Sequence, residues 1–206
     1  SADLSSQISH LFTFGLKSYM LGIIVFIDQS IDLVLVNFLT TKENLAIYNY
    51  AIKISFFSMI IGNTVSNITF PKLTNLLHNK DRRKSEKFYR NYLYFTTFFV
   101  FLFTVLVSTN ATIIISLLFP EVYLDMLDSL IVLLLGLALF SSFSSVGTIL
   151  TSYGYPGVNT LPVLFSMIVN IILNIYLIPI YGIFGAALAT STSFFLRTII
   201  LIYFVE

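Results

Sequence analysis

Long apolar runs alternate along this chain with short polar interruptions, and the runs are of similar length. An α-helix rises 1.5 Å per residue and a bilayer's hydrocarbon core is about 30 Å thick, so about 20 mostly apolar residues suffice to cross it. Six stretches qualify: Phe14 to Leu39, Ala46 to Phe70, Leu93 to Leu118, Met126 to Leu150, Leu161 to Pro179 and Ile183 to Phe204. The interruptions leave no room for a soluble domain. Tyr153-Gly154-Tyr155-Pro156-Gly157 has the composition of a turn, and Pro179-Ile180-Tyr181-Gly182 predicts a tight hairpin between the last two runs. No run shows the alternation of a barrel strand, and a spanning backbone must satisfy its hydrogen bonds internally. The expected fold is therefore all-α, a single polytopic membrane bundle of about six helices over residues 1–206.

Composition agrees. The 206 residues are 57% hydrophobic and 10% charged, with a mean hydropathy of +0.91, whereas soluble domains carry roughly 25% charged residues. A net charge of +1 gives no footing for a nucleic-acid partner. With no cysteine, and with His10 and His78 far apart, neither a disulfide nor a metal site is expected, and no cofactor motif occurs. Ser1 to His10 is polar and lacks the basic-then-apolar order of a secretory leader. The absence of an initiating methionine and the ending Tyr203-Phe204-Val205-Glu206, directly after an apolar run, suggest a piece of a longer chain.

Charge sets the expected orientation. Lys72, Lys80, Arg82, Arg83, Lys84, Lys87 and Arg90, seven of the eleven basic residues, follow the second run, and cytoplasmic loops carry the excess of Lys and Arg. The next connection, Phe119 to Asp125, has acids and no base, as the opposite side should. Tyr89, Tyr92 and Tyr94 flank the third run, where amphipathic rings favour the headgroup layer. The basic loop reads first as a topology signal and second as a contact for lipid headgroups.

Polar residues inside the runs carry the candidate chemistry. An Asp, Lys or Arg at a helix centre costs about 2.5–3.5 kcal/mol on insertion scales, so such residues face protein or water. Asp28 and Asp32 lie four apart on one face of the first helix. Asp32 and Lys53 both lie about 10–12 Å from the connection between the first two runs, allowing an ion pair across that hairpin. The other reading is a cavity in which Asp28, Asp32 and Lys53 meet an ion or a charged headgroup, with Asp28 the residue lacking a partner in the hairpin. Arg197 is placed either to snorkel to the interface or to bind phosphate. Asn63 with Asn67, and Asn170 with Asn174, form two i, i+4 pairs suited to interhelical hydrogen bonds or to lining a cavity. Gly185, Ala189 and Ser193 form a small-residue stripe for close packing, and Ser141, Ser142, Ser144, Ser145 and Gly147 form a cluster suited to packing helices or to lining a polar cavity. No Gly-rich loop ending in Gly-Lys-Ser/Thr occurs, nor any nucleophile accompanied by a base, so the chain reads as a transporter and not an enzyme.

The stretch Val169 to Thr190, with Asn170, Asn174, Ile178-Pro179, Tyr181-Gly182 and Gly185-Ala186-Ala187, resembles a hairpin of the bacterial polysaccharide flippases. These belong to the multidrug/oligosaccharidyl-lipid/polysaccharide exporter superfamily. Ile27-Asp28 to Leu39 resembles their aspartate-bearing helix, and Ala46-Ile47-Tyr48-Asn49-Tyr50-Ala51 a Gly-x-Tyr-x-x-Ala entry in which Ala46 replaces the glycine. Phe70-Pro71-Lys72-Leu73 resembles the Pro-x-Leu end of the next helix. The resemblance implies the second of two pseudo-symmetric bundles, with the other half missing, in a bacterial cytoplasmic membrane. It implies carriage of an undecaprenyl-pyrophosphate-linked oligosaccharide between leaflets for surface polysaccharide biosynthesis. Membrane lipid and a coupling proton or sodium ion would be its further partners. On that reading Arg197, Lys53, Asn63, Asn67, Asn170 and Asn174 serve the substrate, and Asp28 and Asp32 the coupling ion. A drug/cation antiporter of the same superfamily, or a non-transporting assembly partner, are the alternatives.

Overall fold

The computed structural model describes residues 2–78, 82–152 and 160–203, and among them every regular element is helical. Helix α1 (Ala2–Leu39) ends at a two-residue connection. There Thr41 caps α2 (Lys42–Ser55) by accepting a hydrogen bond from the Asn44 N–H at 3.2 Å. A one-residue interruption at Phe56 separates α2 from α3 (Phe57–His78). Helix α4 (Arg82–Thr109) breaks at Asn110, whose side-chain amide donates to the Leu106 carbonyl at 2.9 Å before α5 (Ala111–Leu118) resumes. A 3₁₀ helix (Glu121–Met126), α6 (Leu127–Ser152) and α7 (Thr160–Tyr203) complete the order.

The second and third runs are thus each divided into two helices. Hydropathy reports depth in the membrane and is blind to a local break whose carbonyls are re-satisfied by neighbours such as Asn110. Pro71 lies inside α3, which continues past it to His78. The Tyr153–Gly157 turn and Lys80 lie outside the described residues, as do the side chains of Ser144 and Ser145.

Among the described residues five stretches are long and apolar enough to cross a membrane, the last being the 44 residues of Thr160–Tyr203. That helix folds back on itself at Gly182, where φ is 59° and ψ −137°, a backbone conformation almost closed to residues with a Cβ. Each limb keeps about 20 residues, one bilayer's worth. The expected hairpin is therefore present, and the described residues provide six limbs long enough to cross. Gly185, just past the turn, lies against the backbone of Leu177, where a side chain would collide with the Leu177 carbonyl.

Helix α6 is the central post, packed by α7, α3, α4 and α2. Its Leu130, Leu133, Leu134 and Leu137 are fully buried. Lipid provides no hydrophobic force between helices, so close backbone approach matters more than in water. Gly62 of α3 sits on Ser141 of α6, which donates to the Ser58 carbonyl, and Gly136 of α6 faces Ser191 of α7, which donates to the Val132 carbonyl at 2.9 Å. Ser142 instead bonds the carbonyl of Ala138 in its own helix. Helix α4 turns Phe95, Phe98, Phe99, Leu102 and Leu106 outward, a surface suited to acyl chains.

Candidate functional site

The buried face of α1 carries Asp28, Asp32 and Val36, each one turn from the next, and it packs against both limbs of α7. The first limb presents Ser166, Asn170, Asn174 and Ile178 at the same four-residue step. The second presents Ala186, Thr190, Ser193 and Arg197. Three stripes therefore bring the polar residues of three helical limbs to one seam, in two clusters.

In the first cluster Arg197 is 5% exposed and Asp28 9%. The Arg197 Nη2 donates to both Asp28 carboxylate oxygens, at 2.8 and 2.7 Å, and its Nε donates to the Ser166 hydroxyl at 2.7 Å. Phe194 and Phe140 flank the guanidinium, with ring centroids 4.9 and 5.6 Å from its central carbon. Arg197 thus neither snorkels nor stands free for phosphate, and Asp28 has the partner that the first hairpin did not supply. The two lie 169 residues apart, a pairing that local spacing cannot reveal.

The second cluster centres on Asp32, 3% exposed. Asn174 Nδ2 donates to Asp32 Oδ1 at 2.7 Å and to Asn170 Oδ1 at 2.9 Å. Thr190 Oγ1 donates to Asp32 Oδ2 at 2.7 Å, with the Ala186 carbonyl at 2.9 Å and the Tyr48 hydroxyl of α2 at 3.1 Å. Asn170 Nδ2 reaches Ser193 Oγ at 3.5 Å, a weak contact. Asn174 is fully buried and its Oδ1 has no hydrogen-bond partner.

The expected Asp32–Lys53 pair is not formed. Helix α2 begins at Lys42, so Lys53 lies eleven residues into it while Asp32 lies seven from the end of α1, and α2 buries Ile47, Tyr48, Ala51, Ile52 and Ser55, so Lys53 also projects from its opposite face. There it is exposed, its Nζ 5.6 Å from the Tyr50 ring. The expectation placed the start of α2 too late, and the inward position level with Asp32 is taken by Tyr48, more than one turn nearer the connection than Lys53. Asn63 and Asn67 are also apart from the clusters, exposed on α3 beside Ile60 and Ile68, and so do not act as bonds inside this bundle.

Chemically the Asp32 cluster is a nest of hard oxygens: two from Asp32, the amide oxygens of Asn170 and Asn174, the Thr190 hydroxyl and the Ala186 carbonyl. It carries one formal negative charge, because the Asp28 charge is cancelled by Arg197. Charge in a low-dielectric interior favours exact compensation, so the nest suits a monovalent cation or a proton better than a divalent ion. The orphaned Asn174 oxygen is the kind of group such an ion would satisfy.

Residues 3–128, well over half of the chain, match the family model described as polysaccharide biosynthesis protein. The chain belongs to this polysaccharide biosynthesis family. A probable low-salt glycan biosynthesis flippase of Haloferax volcanii is 24% identical over 192 residues, 92% of this chain and 40% of that relative. Among solved structures, a lipid II flippase in an inward closed conformation superposes with a TM-score of 0.81 at 22% identity. That match covers 96% of this chain and 43% of the flippase. An outward-facing multidrug resistance transporter of the multidrug/oligosaccharidyl-lipid/polysaccharide exporter superfamily gives 0.69 at 19% identity, over 90% of this chain and 42% of its own. The chain spans about two fifths of the length of each of these proteins. This member of the polysaccharide biosynthesis family is thus a multi-pass membrane helix bundle with the superfamily's fold.

The family match ends before α7, which supplies most of both clusters, but the structural match includes it. Thr190, Tyr48, Ser166 and Ser193 are site members that sequence reasoning missed. Thr190 and Tyr48 lie inside the stretches that carried the resemblance. Ser166 has no comparable signal, being one serine in an apolar run.

Proposed function

We propose that this chain is one bundle of a two-bundle flippase that carries a lipid-linked oligosaccharide between membrane leaflets, and that a monovalent cation or proton bound at Asp32 couples that movement. The observation that carries the coupling role is the Asp32 nest, a singly charged, oxygen-lined cluster buried between α1 and α7. Intramembrane ionisable groups are costly and tend to be retained for ion or substrate pathways. Asp32, Asn170, Asn174, Thr190 and the Ala186 carbonyl would hold the ion. Arg197 and Asp28 are positioning residues here, bracing α1 against α7 one turn from Asp32.

Substrate and partner follow from the family and from the exposed face. The chain's family is concerned with polysaccharide biosynthesis, and the flippase relatives favour a lipid-linked sugar, with undecaprenyl pyrophosphate as the carrier we infer for a bacterial cytoplasmic membrane. Lys53, Asn63 and Asn67 point out of the bundle, where hydrocarbon would leave their polar groups unsatisfied. That face therefore suits a water-filled cavity closed by the other half of the transporter, and it is where the sugar and phosphates of the substrate would pass.

The test is transport by the full-length protein in liposomes, scoring movement of a lipid-linked oligosaccharide under an imposed sodium or proton gradient. The expected result is a rate that rises several-fold with one of the gradients and loses that dependence in Asp32→Asn. Gradient-independent transport would overturn the coupling role. Export of organic cations without sugar lipid would replace the flippase reading by the antiporter.

A further inference from the structure

The exposed side of α4 is two surfaces joined end to end. Arg83, Lys87, Arg90, Tyr94, Phe98 and Val105 are all exposed, and at about 100° per residue they fall within about 80° of the helix circumference. Ser85, Tyr92, Thr96, Val100 and Thr104 are buried on the opposite side. Along the one exposed stripe the order is three bases, then a phenol, then hydrocarbon.

The spacing matches one leaflet. Tyr94 to Val105 rises about 16 Å, close to half of a hydrocarbon core about 30 Å thick, and Arg83 to Arg90 rises about 10 Å, through the headgroup layer and just beyond it. The phenol stands at the boundary, where amphipathic rings are favoured. From Lys72 to Tyr94 the described side chains carry five bases, Lys72, Arg83, Lys84, Lys87 and Arg90, against one acid, Glu86. Lys72 and Lys84 lie to one side of the stripe, the Lys72 Nζ being 5.0 Å from the centre of the Phe88 ring. Orienting a membrane protein requires bases on one side of the membrane, at any angle around the helix. Three of them aligned over an acyl-facing stripe meet the further demand of an anionic lipid, whose phosphate and chains are covalently joined.

We propose that the start of α4 binds an anionic phospholipid of the surrounding membrane, with its phosphate among Arg83, Lys87 and Arg90 and its chains along Tyr94, Phe98 and Val105. Two guanidiniums and an ammonium suit a phosphodiester, the guanidiniums through paired N–H donors. A zwitterionic headgroup brings no net charge to meet them. Below Tyr94 the stripe carries no charged or amide group to receive a sugar, unlike the face of α2 and α3 that holds Lys53, Asn63 and Asn67. The site is therefore one for a membrane phospholipid, and it does not depend on the coupling role of Asp32.

Native mass spectrometry of the full-length protein in detergent, titrated with phosphatidylglycerol or with phosphatidylcholine of the same chains, tests the site. The first phosphatidylglycerol is expected to bind at least fivefold more tightly than the first phosphatidylcholine. Arg83→Gln/Arg90→Gln is expected to lose that preference. Lys72→Gln/Lys84→Gln removes the same charge from the same end, off the stripe, and is expected to keep it. All four side chains are exposed, so neither variant disturbs the packing. Equal affinity of the parent for the two lipids, a preference that survives in Arg83→Gln/Arg90→Gln, or one lost equally in both variants overturns the site. Displacement of most of the phosphatidylglycerol by equimolar inorganic phosphate or undecaprenyl pyrophosphate overturns the occupant, in favour of a free anion or of the carried lipid respectively.

Discussion

At the scale of single residues, Arg197 and Lys53, both cations inside apolar runs, have opposite fates. Arg197 is buried with its charge matched by Asp28, so Arg197→Gln leaves a buried carboxylate unpaired and is expected to destabilise the protein by about 3–5 kcal/mol. Replacing Asp28 and Arg197 together by leucine is expected to recover most of that loss, because well-packed apolar pairs often match buried ion pairs. Lys53 is exposed beside Tyr50, and Lys53→Ala is expected to stay within about 0.5 kcal/mol of the parent. Denaturant unfolding of the purified variants checks all three. Equal losses for Arg197→Gln and Lys53→Ala would contradict the burial described. Charges in apolar runs were conspicuous in the sequence, since so few residues there are charged. Their partners were not, because Asp28 and Arg197 meet only through the packing of the first helix on the last, and Asp32 found neutral amides and a hydroxyl where an opposite charge was expected.

At the scale of elements, hydropathy located every crossing but not the interruptions at Phe56 and Asn110, which leave residue composition unchanged. The α7 hairpin was legible because proline and glycine punctuate it, and the structure assigns the turning to Gly182. No atom outside the turn lies within 4 Å of a Cβ built there, so Gly182→Ala strains only the backbone. It is expected to cost about 1–3 kcal/mol. Gly185→Val meets the Leu177 backbone instead and is expected to prevent the limbs from closing. Thermal unfolding in detergent ranks the two. A valine at 185 tolerated better than an alanine at 182 would show that the limbs are not in the contact described.

For the whole molecule, orientation follows from where the bases lie. The α3–α4 connection is expected on the cytoplasmic side and the α1–α2 connection outside. The chain has no cysteine of its own, so single cysteines report cleanly. Thr41→Cys is expected to react with an impermeant maleimide added to intact cells, and Arg83→Cys only after the membrane is opened. The reverse pattern would turn the protein over, putting the Asp32 cluster nearer the inner face. The general fold was readable from run length alone. The seam was half readable, as the i, i+4 spacing of Asp28 with Asp32 and of Asn170 with Asn174 marked faces without saying which faces would meet.

The hairpin at Gly182 is also a ruler. Asn174 lies eight residues before it and Thr190 eight after, Asn170 twelve before and Ser193 eleven after, Ser166 sixteen before and Arg197 fifteen after. One residue added to either limb would rotate everything beyond it by about 100° and shift it by 1.5 Å, parting both clusters at once. Between Ser166 and Arg197, relatives that keep this seam are free to exchange the side chains that face away from it but are held to a fixed length.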